Sequence, residues 1–145
     1  MKTLIALIGI VTVAILAPSA MSSRGVDRGM VTVHSSKYGR ILFEGRGFAL
    51  YAFTRDPRDR SVCRGACAAA WPPYVVRTPP RADAGVESSL LGTVRRSDGR
   101  LQVTYARRPL YYYVGDRAPR QILCQNVSEF GGLWLVVHPK GRPVR

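Results

Sequence analysis

Histidine is scarce in this chain: His34 and His138 are the only two. Acidic residues are few as well, 9 Asp and Glu against 22 Lys and Arg. Transition-metal sites draw on His and Cys in numbers, and two histidines leave Cys63 and Cys67 short of further ligands. Those two cysteines lack the two-residue spacing of a thioredoxin motif, and no haem-attachment His follows them. There is no nucleophile-elbow pattern and no paired-acid motif, so a hydrolase ranks third among the functions considered. Dense basic runs are missing too. Arg95-Arg96 and Arg107-Arg108 are the only doublets, which argues against specific nucleic-acid binding. Outside the N-terminus, no stretch is long and apolar enough to cross a membrane.

What is present begins with Met1-Lys2 and an uncharged run from Leu4 to Ala17, followed by Pro18-Ser19-Ala20. A positive start, an apolar centre and a small-residue exit form the layout of a secretory signal peptide, assigned to residues 1–20. A membrane span needs about 20 apolar residues, more than this run provides. No Cys follows the apolar run, so lipid attachment through an N-terminal Cys is not available. The expected location is the cell envelope or the secreted fraction.

The formal net charge is +13. All of the 22 basic residues except Lys2, Lys37 and Lys140 are arginine, and they are spread along the chain. A balance of this kind favours anionic partners, here anionic cell-envelope polymer or lipid head groups. The bland alternative is a solvated surface shaped by a base-composition bias.

A duplication organises the rest. Gly39-Arg40-Ile41-Leu42-Phe43 matches Gly99-Arg100-Leu101-Gln102-Val103. Leu50-Tyr51-Ala52-Phe53-Thr54-Arg55-Asp56 matches Leu110-Tyr111-Tyr112-Tyr113-Val114-Gly115-Asp116 at the same offset. Trp71, with Tyr74-Val75-Val76 after it, is echoed by Trp134-Leu135-Val136-Val137. Period-two alternation predicts strands over 30–35, 49–54, 93–96, 100–105, 110–114 and 133–138, with a short apolar strand at 41–43. Asp98-Gly99 marks a hairpin turn, because Gly accepts the positive φ that tight turns need. One or two helical turns fit residues 65–70 and stop at Trp71-Pro72-Pro73.

The expected fold is all-β: a small single-domain barrel or sandwich of two pseudo-symmetric repeats, with at most a short helical turn after Cys63. Repeat 1 spans 30–77 and repeat 2 spans 88–140. A linker at 78–87 joins them, and 141–145 form a loose basic tail. Neither repeat could bury its apolar face alone.

Tyr51-x-Phe53-x-x-Asp56, Cys63-x-x-x-Cys67-Ala68, Trp71-Pro72-Pro73, Arg96-Ser97-Asp98-Gly99 and Phe130-Gly131-Gly132-x-Trp134 together resemble the secreted-repeat lipoproteins of unknown function. The resemblance covers roughly Val31 to Gly141. It implies export, often with a lipid anchor, and no established activity. Three departures stand out. The lipidation Cys is missing, Ala106-Arg107 replaces the Asn-Gly that relatives tend to have, and Cys124 falls where Gly or a polar residue is expected.

Asp56 and Asp116 follow the aromatic strands at the same spacing. One reading makes them a convergent carboxylate pair for a cation or basic ligand. The other has each Asp accept N–H bonds within its own loop, as Asp does at turn starts. The second weighs more, since a duplicated turn keeps its Asp for geometry alone. Tyr51, Phe53, Tyr111 and Tyr113 are read as core packing first and as a stacking surface second. Tyr112 points the other way and is expected at the surface. Cys63 and Cys67 are close enough to bridge across a turn, which leaves Cys124 as a candidate free thiol. No metal and no cofactor is expected. Two functions follow: a non-enzymatic binding or structural module on anionic envelope material, or a redox- or metal-associated accessory protein.

Overall fold

A computed structural model describes residues 29–145. The signal peptide read at residues 1–20 lies outside the described residues.

The first repeat opens with a hairpin of β1 (Met30–Ser36) and β2 (Gly39–Glu44). Gly39 turns it with φ at 82°. Next come β3 (Tyr51–Phe53), α1 (Ala66–Ala70), β4 (Val75–Val76) and β5 (Arg81–Ala82). In the second repeat, β6 (Leu91–Arg95) and β7 (Leu101–Tyr105) form the matching hairpin. Asp98-Gly99 makes its turn, with Gly99 at φ 83°. The chain then runs through β8 (Arg108–Tyr111), β9 (Val127–Glu129) and β10 (Gly132–Val136). α1 ends where predicted. The Trp71 N–H still reaches the Cys67 carbonyl at 2.8 Å, but Pro72 has no N–H to continue the ladder.

Two sheets result, and the all-β class holds. The smaller has the order β2-β1-β5; the larger runs β4-β7-β8-β3-β10-β9, with β6 on the far edge of β7. Alternation in the central strands divides the interior into two cores, because successive side chains point to opposite faces. Ile41, Phe43, Tyr51, Phe53, Tyr111 and Trp134 enter one core. Leu42, Leu50, Ala52, Val103 and Leu110 enter the other. Strand β3 is therefore buried on both faces.

The repeats are interlocked. At the centre, β3 pairs with β8, and Tyr51 faces Tyr111. Each repeat's Trp-bearing segment then pairs with the other repeat. β10 of the second pairs with β3 of the first, bringing Trp134 opposite Phe53. Reciprocally, Tyr112 and Val114 donate to the carbonyls of Pro72 and Ala70 at 2.8 and 3.0 Å. Further out, Val103 N–H donates to the Tyr74 carbonyl at 2.8 Å, and Leu42 N–H donates to the Val137 carbonyl at 2.9 Å. Each copy thus completes its partner's sheet, so neither has a closed core of its own.

Four expectations change. The strand read at 110–114 sits earlier, at Arg108–Tyr111, because Pro72 and Ala70 replace a regular strand as partners beyond it. The segment read as a linker carries β5, which pairs in parallel with β1. Tyr112 does not stand free at the surface. It is half-buried against the second core, its ring 5.3 Å from that of Tyr74.

The basic tail is also held in place. His138 N–H bonds the Arg142 carbonyl, Val144 N–H bonds the Val136 carbonyl (both 2.9 Å), and Gly141 is buried. At the departure Ala106-Arg107, both residues take left-handed backbone, with φ at 48° and 65°. This two-residue link between β7 and β8 is the kind of hairpin turn that Asn-Gly fills most easily.

Candidate functional site

The duplicated tyrosines and aspartates meet crosswise. Tyr51 of the first repeat donates its hydroxyl to Asp116 Oδ2 of the second at 2.6 Å. Tyr111 of the second donates to Asp56 Oδ2 of the first, also at 2.6 Å. The other oxygen of each carboxylate caps its own loop. Asp56 Oδ1 accepts Val62 N–H at 2.7 Å, and Asp116 Oδ1 accepts Leu123 N–H at 2.9 Å. Loop capping is therefore observed. The convergent-pair alternative loses its basis, since all four oxygens already hold a protein donor. What the spacing did not reveal is the bond to the opposite repeat.

Burial dominates the titration of this quartet. It raises Asp56 and Asp116 above the ordinary 3.8, against the opposing pull of their tyrosine and N–H donors. Burial likewise raises both tyrosines, helped by the neighbouring carboxylates. Desolvation penalises the charged form of each group, so the tyrosines remain protonated donors.

Between the two latches lies an aromatic pile. Trp71 and Trp134 stack with centroids 4.1 Å apart and planes 3° from parallel. Phe53 stacks on Trp134 at 4.2 Å, and Tyr113 covers Trp71 at 4.7 Å. Tyr51 meets Trp71 edge-on at 5.2 Å, and Tyr111 meets Trp134 edge-on at 5.1 Å. Tyr51, Phe53 and Tyr111 are thus core residues; Tyr113 packs at the rim.

The copies diverge beside the pile. Cys63 and Cys67 form a disulfide in the first repeat, and both are buried. Cys124, in the matching loop of the second, is a free, half-buried thiol packed against the same core. Next to the disulfide, the buried Arg96 donates to Ser61 Oγ (2.6 Å), Gln102 Oε1 (2.7 Å) and the Cys63 carbonyl (2.8 Å). Ser61 in turn shares a 2.7 Å bond with the Tyr111 hydroxyl. A chain of polar contacts thus runs from Arg96 to Asp56. Trp71 Nε1 donates to Glu129 Oε2 at 2.8 Å, while Trp134 Nε1 is buried without a partner among the described residues.

Ser61 and Glu129 were not singled out in the sequence, and Arg96 and Gln102 entered it only as parts of a motif and of the repeat, with no role at a site. Arg96 in particular reads as one more surface arginine at a hairpin end. Among the described residues, no group of three or more His, Cys, Asp or Glu is placed to hold a metal ion. No helix among them is long and apolar enough to cross a membrane.

Two copies of one strand-loop unit, crossed by Tyr–Asp bonds and stacked through their tryptophans, define a small duplicated all-β protein. A family described as a secreted repeat of unknown function matches the chain twice, over residues 32–74 and 92–138. Those matches cover more than half of the sequence and coincide with the two interlocked units. The chain belongs to that family. Comparison with curated proteins and with solved structures finds no match.

Proposed function

We propose that the chain is an exported, non-catalytic module that attaches to anionic cell-envelope polymer or lipid head groups through its basic surface. The observation that carries this reading is the excess of positive over negative charge left on the surface. Among the described residues, Glu44 and Asp116 are buried and Asp56 is half-buried, which leaves Asp59, Asp83, Glu87, Asp98 and Glu129 as the exposed acids. Asp56 and Asp116 hold tyrosine hydroxyls, Glu44 is fully buried beneath Arg46, and Glu129 holds Trp71. Asp59 and Asp98 pair with Arg107 and Arg100. Basic side chains stay outside: Arg58, Arg60, Arg64, Arg77, Arg95 and Arg117 are exposed, and among the described basic residues Arg96 alone enters the core. With a net charge of +13, such a surface attracts polyanions. The Met1–Ala20 signal peptide supplies the export step of this proposal.

The alternative of a redox- or metal-associated accessory protein draws less support. Cys63 and Cys67 are joined to each other and buried. Every oxygen of the Asp56 and Asp116 carboxylates is already taken by an N–H or O–H donor.

The test is retention on poly(glycerol phosphate) across a salt series. Retention at low salt should fall steeply toward about 1 M, where the screening length shrinks to ~3 Å. No retention at low salt, or retention indifferent to salt, would refute the attachment.

A further inference from the structure

A cleft of about 290 Å³ lies between the start of β2, the Gly85–Glu87 segment and the C-terminal turn. Arg40, His138 and Lys140 line it, with Glu87 as its one acidic wall residue. We propose that this cleft binds a phosphate group, with Arg40, Lys140 and His138 as its ligands. The proposal rests on the reading that the basic surface meets anionic envelope material, and it assigns that reading a specific site.

Three features indicate a built cleft. The Arg40 guanidinium lies over bare backbone at Gly85. A Cβ added there would stand 2.7 Å from Arg40 Nη2, and Gly85 has φ at +85°. Glycine thus admits the guanidinium to a place that a side chain would occupy. The opposite wall is a closed turn. Gly141 N–H bonds the His138 carbonyl at 2.8 Å, and the buried Tyr105 hydroxyl fastens the Pro139 carbonyl at 2.7 Å. A fixed wall lowers the ordering cost of binding.

The third feature is the state of His138. Its Nδ1 accepts the Lys140 N–H at 3.1 Å, which leaves the ring proton on Nε2. The neutral ring is therefore a donor. Burial, then Arg142, Arg40 and Lys140, hold its pKa below 6.5.

These cations outnumber Glu87, and their combined charge suits a phosphate better than a single carboxylate. A phosphodiester brings two free acceptor oxygens and one charge, a monoester a third oxygen and up to a second charge, and the guanidinium fork fits either bidentately. Bound phosphate would also offset the surrounding cations, so His138 should take up a proton and binding should tighten as pH falls. A wall phosphodiester and a phospholipid head group share this chemistry.

The experiment is a nuclear magnetic resonance titration of the full chain with glycerol 3-phosphate, following the His138 ring. Saturable movement of the His138 signals and a rise in its pKa are expected. Arg40→Gln/Lys140→Gln, exposed changes that leave both cores intact, should weaken the saturable response at least ~10-fold. Poly(glycerol phosphate) or phosphatidylglycerol vesicles are then added as competitors. Displacement by one of them identifies the source, and displacement by neither overturns the site. So does a His138 ring that ignores glycerol 3-phosphate, or that responds equally in the double variant, even if polymer retention persists. Conversely, lost polymer retention with an intact His138 response refutes the wider attachment and leaves the site standing.

Discussion

The hydroxyl of Tyr51 donates to the carboxylate of Asp116 across the repeat boundary at 2.6 Å, and Tyr111 returns the same bond to Asp56. The motif that labels each copy is thus the device that joins it to the other. A carboxylate capping its own loop while accepting a tyrosine from the partner repeat ties loop geometry to assembly of the domain. Loss of either tyrosine hydroxyl leaves a desolvated acceptor, which costs about 1–3 kcal/mol. Tyr51→Phe should fall in that range. Tyr111→Phe should cost more, because Ser61 loses its 2.7 Å partner as well. Urea unfolding of both variants measures the difference, and a neutral Tyr111→Phe would contradict the latch.

The aspartates predict an unusual pH response. Both carboxyls sit above the ordinary 3.8 because they are buried. A raised folded-state pKa means that the folded protein holds the proton more tightly than the unfolded chain. Their contribution is therefore full below 3.8 and is lost as pH climbs through the raised values. Asp98 runs the other way: its bond to Arg100 lowers it to about 2. Its contribution is present above 3.8 and is lost as pH falls toward 2. Asp116→Asn should flatten the decline of the melting midpoint as pH rises above the ordinary carboxyl value of 3.8. Parallel profiles for variant and wild type would count against this assignment.

Trp71 and Trp134 occupy equivalent places but not equivalent environments. Trp71→Phe removes the bond to Glu129, whereas Trp134→Phe removes an N–H that has no partner among the described residues. With similar ring area lost from the same stack, Trp71→Phe should be the costlier by about 1 kcal/mol. Equilibrium denaturation of the two variants decides the order, and a reversed order would disprove the argument.

Gly141 tests whether the C-terminal turn is part of the fold. It has φ at +81°, and a Cβ there would stand 2.4 Å from that of Ala106. Gly141→Ala should destabilise the protein by about 1–3 kcal/mol through overpacking and backbone strain. A thermal melt unchanged by the substitution would mean that the turn is not packed.

Cysteine chemistry should divide cleanly. Without reductant, the denatured chain should titrate one thiol, from Cys124. Cys63→Ser/Cys67→Ser opens only a short loop, so the chain-entropy cost is about 2 kcal/mol. Thiol counting and a melting comparison check the two statements, and three titratable thiols would overturn the pairing.

Much of this architecture was legible in the residues. Alternation placed Tyr51 and Phe53 opposite Leu50 and Ala52, and these pairs line different cores. The echo of Trp71 in Trp134 marked the aromatic pile, and the shared spacing of Asp56 and Asp116 marked the caps. Less was visible where short elements lean on partners. β4 and β9 have two and three residues, too few for a periodic pattern. The tail is ordered by contacts with Val136, Val137, His138 and Gln125. Arg96 enters the core because Ser61 and the Cys63 carbonyl, both in the first repeat, converge on it with its neighbour Gln102.

By itself the sequence determined the duplication, the strand faces and the excess of positive charge, since all three follow from residue type and spacing along one line. Only the tertiary structure decided that the copies interlock, that each tyrosine serves the other copy's aspartate, and that Arg40, His138 and Lys140 share a cleft. The reason is physical. Side-chain periodicity specifies which face a residue presents, but the identity of its neighbour depends on how two strands choose each other once their apolar faces leave water.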